Sequence, residues 1–408
     1  MMTRQVAIAC QGGGTHGAFT CGVLSAILEA KEREAQGEAV GRRRFEIVGV
    51  SGTSAGALNA FMLWCGLLAG GGAAERFGRA RAQVNRFWDT FQARTVGERL
   101  LNEFARQAFR WQELGVSLRP ANPAHAYEGW LAALNFWSAW NDALAPYGDF
   151  GEVRREYHDF LALLRATAPQ FEALRERLPQ IARRKEAPRL LLGAVEILSG
   201  RFEVFDSWAD PGSGRGIGFE AVAASGTLPD VRRAQRVPGL TNADGAPALY
   251  WDGVFSQNPP VREFAAGTDR AHTPDEIWVI RINPQRRDEE PLSLAAIEDR
   301  RNELAGNLSL NQELRFIQKV NEWIAAAAPS RRGILADYKP IRVHIITMAK
   351  DKAALGIGSK FDRSAEFVDA MRAHGLERGR AFLPLWLDDS ADLVAWPDGD
   401  ALDAIDGA

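Results

Sequence analysis

The chain has 408 residues, enough for one large α/β domain with insertions or for two to three smaller domains. Its 46% hydrophobic and 25% charged residues are ordinary for a globular protein that buries a sizeable core. The net charge of −3 excludes a general attraction to nucleic acid or to an anionic membrane surface, so no nucleic-acid partner is expected.

The first seventy residues predict two β-α units. Gln5–Cys10 has the short apolar run of a strand, and the apolar residues after it recur at helical spacing. Phe45–Val50 predicts a second strand, and residues 55–74 an apolar helix. That helix is about long enough to span a bilayer, but its Ala and Gly content and its polar Asn59 favour a buried core helix. Strands that alternate with helices predict a largely parallel sheet covered on both faces.

Residues 75–188 lose the strand pattern and predict a helical insertion. Five of the twelve tryptophans lie here: Trp88, Trp111, Trp130, Trp137 and Trp140. The commoner arrangement is that such rings pack the insertion's own core; the alternative is a hydrophobic lid or a lipid-facing surface. His125 and His158 lack the neighbours of a ligand motif, so we predict structural roles for them and neither a metal nor a cofactor.

The strand pattern returns after the insertion. Further strands are predicted from the apolar runs Leu190–Val195, Arg201–Phe205, Glu276–Ile282 and Ile341–Ile346. Amphipathic patterns over 292–328 and 363–381 predict two helices. We therefore expect a main domain over residues 1–265 and further strands and helices over 266–390 that complete or flank its sheet. A loose acidic tail is expected over 391–408.

The sharpest motif is Gly52-Thr53-Ser54-Ala55-Gly56, a G-x-S-x-G between a predicted strand and a predicted helix. In that setting the turn is tight and lifts the serine oxygen clear of the backbone, and Gly52 and Gly56 are small enough to fit. The following helix directs its free N–H groups toward the serine. Ser54 is therefore the candidate nucleophile, although a plain glycine-rich turn would show the same letters.

The second motif is Gly12-Gly13-Gly14-Thr15-His16-Gly17, which also follows a strand and opens a helix. Successive backbone N–H groups in such a turn can hold an anion. One use is phosphate binding in a nucleotide fold, for which no suitable acidic residue follows about twenty residues later. The other is an oxyanion hole for acyl transfer, which a candidate nucleophile on the next β-α unit favours.

The third motif is Tyr250-Trp251-Asp252-Gly253-Val254. An aspartate before glycine is by itself more often a turn residue than a catalytic one. The ordered set of three motifs, however, resembles the patatin-like phospholipase family, over about Val6 to Pro260. Weaker similarity occurs at Ala223–Pro229 and at Asn307–Asn321.

The resemblance implies a three-layer α/β/α sandwich with a mostly parallel central sheet and no cofactor. It implies a Ser–Asp dyad in which Asp252 accepts the proton of Ser54, while Gly12, Gly13 and Gly14 stabilise the oxyanion. Gly17, Gly52, Gly56 and Gly253 would support these motifs. Three positions depart from the family pattern, namely Gln11 (commonly Asp), His16 (usually Arg or Lys) and Val254 (Gly or Ala). Because position 16 lacks a fixed cation, a neutral ester remains an alternative to a phospholipid.

A Ser-His-Asp triad is the competing arrangement, since His272, His344 and His374 all follow Asp252. None of them lies in a motif-like setting, and Ser54 comes too early for an α/β-hydrolase, whose serine follows several strands. A carboxylate in a largely apolar pocket has a raised pKa and becomes a better base, so the dyad is favoured.

The expected function is thus hydrolysis of lipid carboxylic esters, with a lipid or ester substrate and transient membrane-surface contact. A non-catalytic phosphate- or nucleotide-binding protein is the alternative from another class. Cys10, Cys21 and Cys65 are too few for a disulfide framework, and no signal peptide pattern is seen. We therefore expect a cytoplasmic protein, with peripheral membrane association as the variant of that expectation.

Overall fold

The computed structural model describes residues 3–113, 123–144, 151–229, 231–265, 270–327, 333, 335, 337–349 and 355–403. Eight strands within them form one sheet: β1 Thr3–Cys10, β2 Arg44–Gly52, β3 Arg189–Glu196, β4 Arg201–Asp206, β5 Gln235–Thr241, β6 Pro247–Asp252, β7 Glu276–Arg281 and β8 Arg342–Thr347. Their order is β5-β6-β3-β2-β1-β7-β8, and β4 pairs with β3 beside this path.

The centre of the sheet is parallel. β1 lies between β2 and β7, and the pairs β2–β3 and β7–β8 are parallel as well. The pairs β3–β4, β3–β6 and β5–β6 are antiparallel. Parallel neighbours bring the carboxyl ends of β1 and β2 to the same edge, where both glycine-rich turns follow.

Helices cover both faces of the sheet. Successive residues of a strand point to opposite sides, so alternate residues of β1 pack against different helices. Val6 and Ile8 of β1 pack on one side, against α1 Gly17–Ala35, α2 Ala55–Leu68, α3 Ala73–Phe91 and α12 Ala365–Leu387. Ala7 and Ala9 pack on the other side, against α11 Leu294–Ala326. The predicted three-layer α/β/α fold with a mostly parallel sheet is confirmed.

The segment between β2 and β3 is helical in its described part. After α3 come α4 Val96–Glu113, α5 Pro123–Leu144, α6 Arg155–His158, α7 Phe160–Thr167, α8 Phe171–Arg175 and α9 Leu178–Arg184, and α10 Phe219–Ser225 follows β4. α3 falls inside the predicted insertion, yet its Val84, Phe87 and Trp88 are buried in the main core.

The other four tryptophans of that segment correct the expectation that its rings pack a core of their own. Trp111, Trp130, Trp137 and Trp140 are 45–54% exposed. Trp137 Nε1 donates to the Gly151 carbonyl oxygen at 3.2 Å, but all four aromatic rings lie at the surface.

The expectation of a loose tail is wrong up to residue 403. Ala401 and Leu402 are buried, and the N–H groups of Trp396 and Ala401 donate to Val343 and Ile345 beside β8. Apolar side chains in an otherwise acidic stretch hold it there. Residues 404–408 lie outside the described part of the chain. None of the helices in the described residues is long and apolar enough to cross a membrane.

Candidate active site

Ser54 occupies the turn between β2 and α2. Its φ of 56° and ψ of −128° lie in a region that glycine normally occupies, so the serine backbone is strained. At Gly56 a Cβ would come within 3.0 Å of the Cys10 carbonyl oxygen, which leaves room only for glycine. This is the sharp turn that presents a serine hydroxyl at the end of a strand.

The backbone of Ser54 is fixed by the last residue of α10. The Ser54 N–H donates to the carbonyl oxygen of Ser225 at 3.0 Å and to its Oγ at 3.1 Å. The Ser225 hydroxyl in turn donates to the Gly193 carbonyl oxygen on β3 at 2.6 Å. The strained turn is therefore tied to a neighbouring helix and strand.

Asp252 ends β6 and is fully buried. Its N–H donates to the Thr227 carbonyl oxygen at 2.8 Å, and its Oδ1 accepts the Val254 N–H at 2.9 Å. Burial raises the pKa of its carboxyl group to about 7. The hydrogen bond with the nearby Ser54 hydroxyl lowers the pKa and offsets part of that rise. Oδ2 has no hydrogen bond of ordinary length within the described residues, so it is the carboxylate atom available to take a proton.

The loop after β1 lies next to the serine. Gly12 donates its N–H to Asn258 Oδ1 at 2.7 Å, and its carbonyl oxygen accepts Asn283 Nδ2 at 2.9 Å. The positive φ of 61° at Gly14 favours glycine. Within the described residues no acceptor contacts the N–H groups of Gly13 and Gly14. Of the three predicted oxyanion donors, Gly12 is thus already engaged.

These elements meet in a cavity of about 250 Å³. Ser54, Asp252 and the three glycines line it on one side. Its apolar lining is formed by Phe109, Leu228, Val231, Val254, Phe255, Ile357 and Phe361. Its polar lining is formed by Gln112, Asn283, Asp299, Asn302 and Lys360. A larger cavity, of about 910 Å³, lies near the amino ends of β1 and β2, away from these residues.

The supporting glycines of the motifs are at points of close approach. A Cβ at Gly17, Gly52 or Gly253 would come within 3.0 Å of Ala55, Gly56 or Gly193, respectively. Each glycine therefore lets two elements of the site pack together.

Several supporting residues carry no signal of their own in the sequence. Gln11 accepts the N–H groups of Ile282 and Asn283 at 3.0 and 2.9 Å, which joins the ends of β1 and β7. Glu313 of α11 accepts the N–H groups of Val261 and Arg262 at 2.7 and 3.0 Å. It thereby fixes the loop that carries Asn258.

Position 16 holds no charge at neutral pH. Burial, together with the neighbouring Lys360, lowers the pKa of His16 to about 3. Its Nε2 shares a hydrogen bond of 2.7 Å with the Ser359 hydroxyl. The cation that lines the cavity is Lys360, whose Nζ lies 2.6 Å from Asp299 Oδ1.

The three later histidines lie elsewhere. His344 is on β8, with Nδ1 3.2 Å from the Val394 carbonyl oxygen, and His374 Nε2 accepts the Ala349 N–H at 3.1 Å. His272 borders the large cavity at the other end of the sheet. No histidine is among the described residues that line the cavity around Ser54. Over the same residues, no group of three His, Cys, Asp or Glu side chains is placed to hold a metal ion.

A strained serine beside a buried carboxylate, at the carboxyl edge of a mostly parallel sheet, is typical of a serine acyl hydrolase. Comparison with known families agrees: the model of the patatin-like phospholipases matches residues 8–265. The chain belongs to the patatin-like phospholipase family, whose members are lipid acyl hydrolases.

Among solved structures the chain is similar to VipD from Legionella pneumophila, with 14% sequence identity and a TM-score of 0.36. The match covers 94% of this chain and 67% of that one. No curated protein matches the chain.

Proposed function

We propose that this protein hydrolyses carboxylic esters of lipids through a Ser54–Asp252 dyad and an acyl-enzyme intermediate. The observation that carries the proposal is that the strained serine, the buried carboxylate and the loop of Gly13 and Gly14, whose N–H groups meet no acceptor in the described residues, line one cavity. Nucleophile, base and anion donors are the three parts that acyl transfer requires.

In the first half-reaction Asp252 accepts the hydroxyl proton of Ser54 while Oγ bonds to the ester carbonyl carbon. The carbonyl oxygen becomes an anion, and the N–H groups of Gly13 and Gly14 are the free donors for it. When the intermediate collapses, the C–O bond to the alcohol breaks and the alcohol leaves with the proton. Gly12 serves the same anion only if its hydrogen bond to Asn258 opens.

In the second half-reaction water attacks the acyl-enzyme and gives its proton to Asp252. The bond between the acyl carbon and Ser54 Oγ then breaks, Asp252 returns the proton to Oγ, and the acid product departs. A carboxyl group with a pKa of about 7 suits both proton transfers, since a base works best when its pKa is near the working pH.

Covalent labelling tests the proposal. A fluorophosphonate probe should label the wild type at Ser54, and Ser54→Ala should be unlabelled and inactive on short-chain p-nitrophenyl esters. Labelling should also fall strongly in Asp252→Asn, because the base is lost. Intact ester turnover in Ser54→Ala would refute the mechanism. Full loss of activity in His272→Ala, His344→Ala or His374→Ala would instead indicate a triad.

The alternative of a phosphate- or nucleotide-binding protein gives a different result. Thermal-shift measurements with nucleotides are run beside the ester assay. Stabilisation by a nucleotide, without hydrolysis of any ester by the wild type, would replace the hydrolase proposal.

A further inference from the structure

Helix α4 packs on the protein through the polar side chains of Glu98 and Asn102 and through Phe109, whose ring stacks on Phe361 with 4.7 Å between the ring centroids. Glu98 is fully buried and pairs with Arg154 at 2.7 Å, and Asn102 donates to Asp362 at 3.0 Å. Although burial opposes ionisation, hydrogen bonds from Arg154 and from backbone N–H groups lower the pKa of Glu98. These contacts hold one side of α4 against the rest of the protein.

The opposite side of α4 is apolar and exposed. Val96, Leu100, Phe104 and Trp111 are 50%, 67%, 65% and 49% exposed. Their spacing places them on one stripe of the helix. An amphipathic helix normally turns such a stripe to the core, whereas this stripe of α4 is exposed.

Two more helices carry exposed apolar residues. On α5 these are Trp130, Phe136, Trp137 and Trp140. On the first half of α11 they are Leu294, Ile297, Leu304 and Leu308. We call these residues, together with the exposed stripe of α4, the apolar face.

Two of these helices, α4 and α11, border the catalytic cavity, and α5 contacts a segment next to it. Phe109 and Gln112 of α4 line it, as do Asp299 and Asn302 of α11. α5 is joined to the segment beside cavity-lining Val231 by the ion pair of Glu128 with Arg233, at 2.8 Å. The apolar face therefore lies on helices that border the cavity or lie next to it.

The charge of these helices indicates what covers the apolar face. α4 contains three arginines and three glutamates, and α5 contains one Glu, one Asp and no Lys or Arg. Without excess positive charge the face has no electrostatic attraction to anionic lipids. Trp and Phe suit a membrane interface, where their rings reach the boundary of the acyl chains.

We propose that the apolar face docks on the surface of an uncharged or zwitterionic lipid bilayer. This rests on the proposed function, because a lipid ester must pass from a bilayer into the cavity that α4 and α11 border. A protein partner or a second copy seated on the same helices would separate that cavity from a bilayer, so a bilayer fits the position of the face better.

Vesicle binding tests the proposal in the full chain with Ser54→Ala, so that binding is measured without turnover. Phosphatidylcholine vesicles are sedimented with Leu100→Ser/Phe104→Ser and, as a second variant, Phe136→Ser/Trp140→Ser. Each pair should lower the partition coefficient about tenfold or more, as expected for losing two inserted apolar side chains. The matched control is Leu198→Ser/Phe202→Ser, whose residues are 63% and 49% exposed near the β3–β4 turn and which should change binding by less than about twofold.

Ionic strength gives an independent readout: raising NaCl from about 0.05 to 0.5 M should change binding by less than about twofold. Failure of the parent protein to bind, or equal binding by all three double variants, would overturn the proposal. Binding restricted to anionic vesicles and lost in salt would also contradict it. A dimer in sedimentation velocity that Leu100→Ser/Phe104→Ser dissociates would assign the face to a second copy.

Hydrolysis of a soluble ester separates this inference from the function beneath it. The double variants in the active background should hydrolyse p-nitrophenyl butyrate at the wild-type rate, which shows that they are folded. If the wild type hydrolyses no ester but binds vesicles as expected, the proposed function fails and the docking surface stands.

Discussion

The edge of the sheet around Ser54 and the apolar face of α4, α5 and α11 differ in where their groups find partners. At the sheet edge, the backbone groups of Ser54, Asp252 and Gly12 are held by hydrogen bonds of 2.7–3.1 Å. On the apolar face, large side chains such as Leu100 and Phe104 are about two-thirds exposed. A buried polar group must find a partner inside the protein, whereas an exposed apolar cluster indicates a partner outside it.

The two regions also differ in the origin of their free-energy cost. The φ of 56° at Ser54 and the raised pKa of Asp252 both cost free energy, and they persist because many contacts fix their surroundings. The free-energy cost of the apolar face has a different origin. Its apolar side chains are exposed to water, and binding to another surface would relieve that exposure.

The largest expected effect is that of Asp252→Asn, which removes the carboxylate charge from the hydrogen-bonded edge of the sheet around Ser54. Ester hydrolysis should fall by about 10³-fold or more, because the base is lost. Stability at pH 8 should rise by roughly 1–3 kcal/mol, because burial that lifts the carboxyl pKa from 3.8 to about 7 also penalises the folded protein once the group ionises.

The pH dependence checks the sign of that stability change. The folded pKa lies above the ordinary value, so the penalty is absent below about pH 4 and fully present above about pH 7. Urea denaturation of both proteins at pH 4 and pH 8 measures it. A variant that is less stable than the wild type at pH 8 would show that Asp252 stabilises the edge as a charged group.

The pH–rate profile of the wild type tests the same group through its chemistry. Only the carboxylate can accept the Ser54 proton, so kcat/KM for a soluble ester should fall about tenfold per pH unit below about pH 7. Stopped assays from pH 5 to 9 measure this. A midpoint near pH 4 would mean that the carboxylate is not desolvated in the free enzyme.

Ser225→Ala tests how strongly activity depends on the contacts at the sheet edge. Ser225 holds the turn of Ser54 but does not contact substrate. The Ser54 N–H keeps the Ser225 carbonyl oxygen at 3.0 Å but loses the hydroxyl at 3.1 Å. We expect kcat to fall about tenfold with little change in KM, because a small displacement of a nucleophile is costly. Ser256→Ala is the control, since that hydroxyl bonds to Ala194 and Gly253 instead; equal effects of the two variants would indicate general destabilisation.

The sequence predicted the parts of the site that are local in the chain. Ser54 and the glycine loop each follow a strand whose apolar run is visible, so their place at one edge follows from parallel topology. The antiparallel strands β5 and β6 were not predicted, because β5 is largely exposed and has no continuous apolar run. Asn258 was quoted beside the third motif, but its contact with Gly12 spans 246 residues and has no local signal.

The orientation of α4 is the clearest case of what pattern alone leaves open. Periodicity shows that a helix has an apolar side, and the usual inference turns that side inward. Which side is covered depends on Arg154 and Asp362, far along the chain from Glu98 and Asn102. From the pattern alone, the commoner arrangement predicted that the rings of the tryptophan-rich segment pack a core of their own. An exposed, lipid-facing arrangement was the alternative.

The smallest expected effect is that of Phe104→Ala, and its comparison with Phe87→Ala tests the contrast most directly, since it uses one residue type on two helices. Phe87 of α3 is fully buried and Phe104 of α4 is 65% exposed. Phe87→Ala should lower the free energy of unfolding by about 3–5 kcal/mol, through lost burial and a cavity. Phe104→Ala should change it by less than about 0.5 kcal/mol, because the ring meets water in both states. Denaturation in urea at one pH measures both, and a large loss in Phe104→Ala would show that the protein itself covers the apolar face.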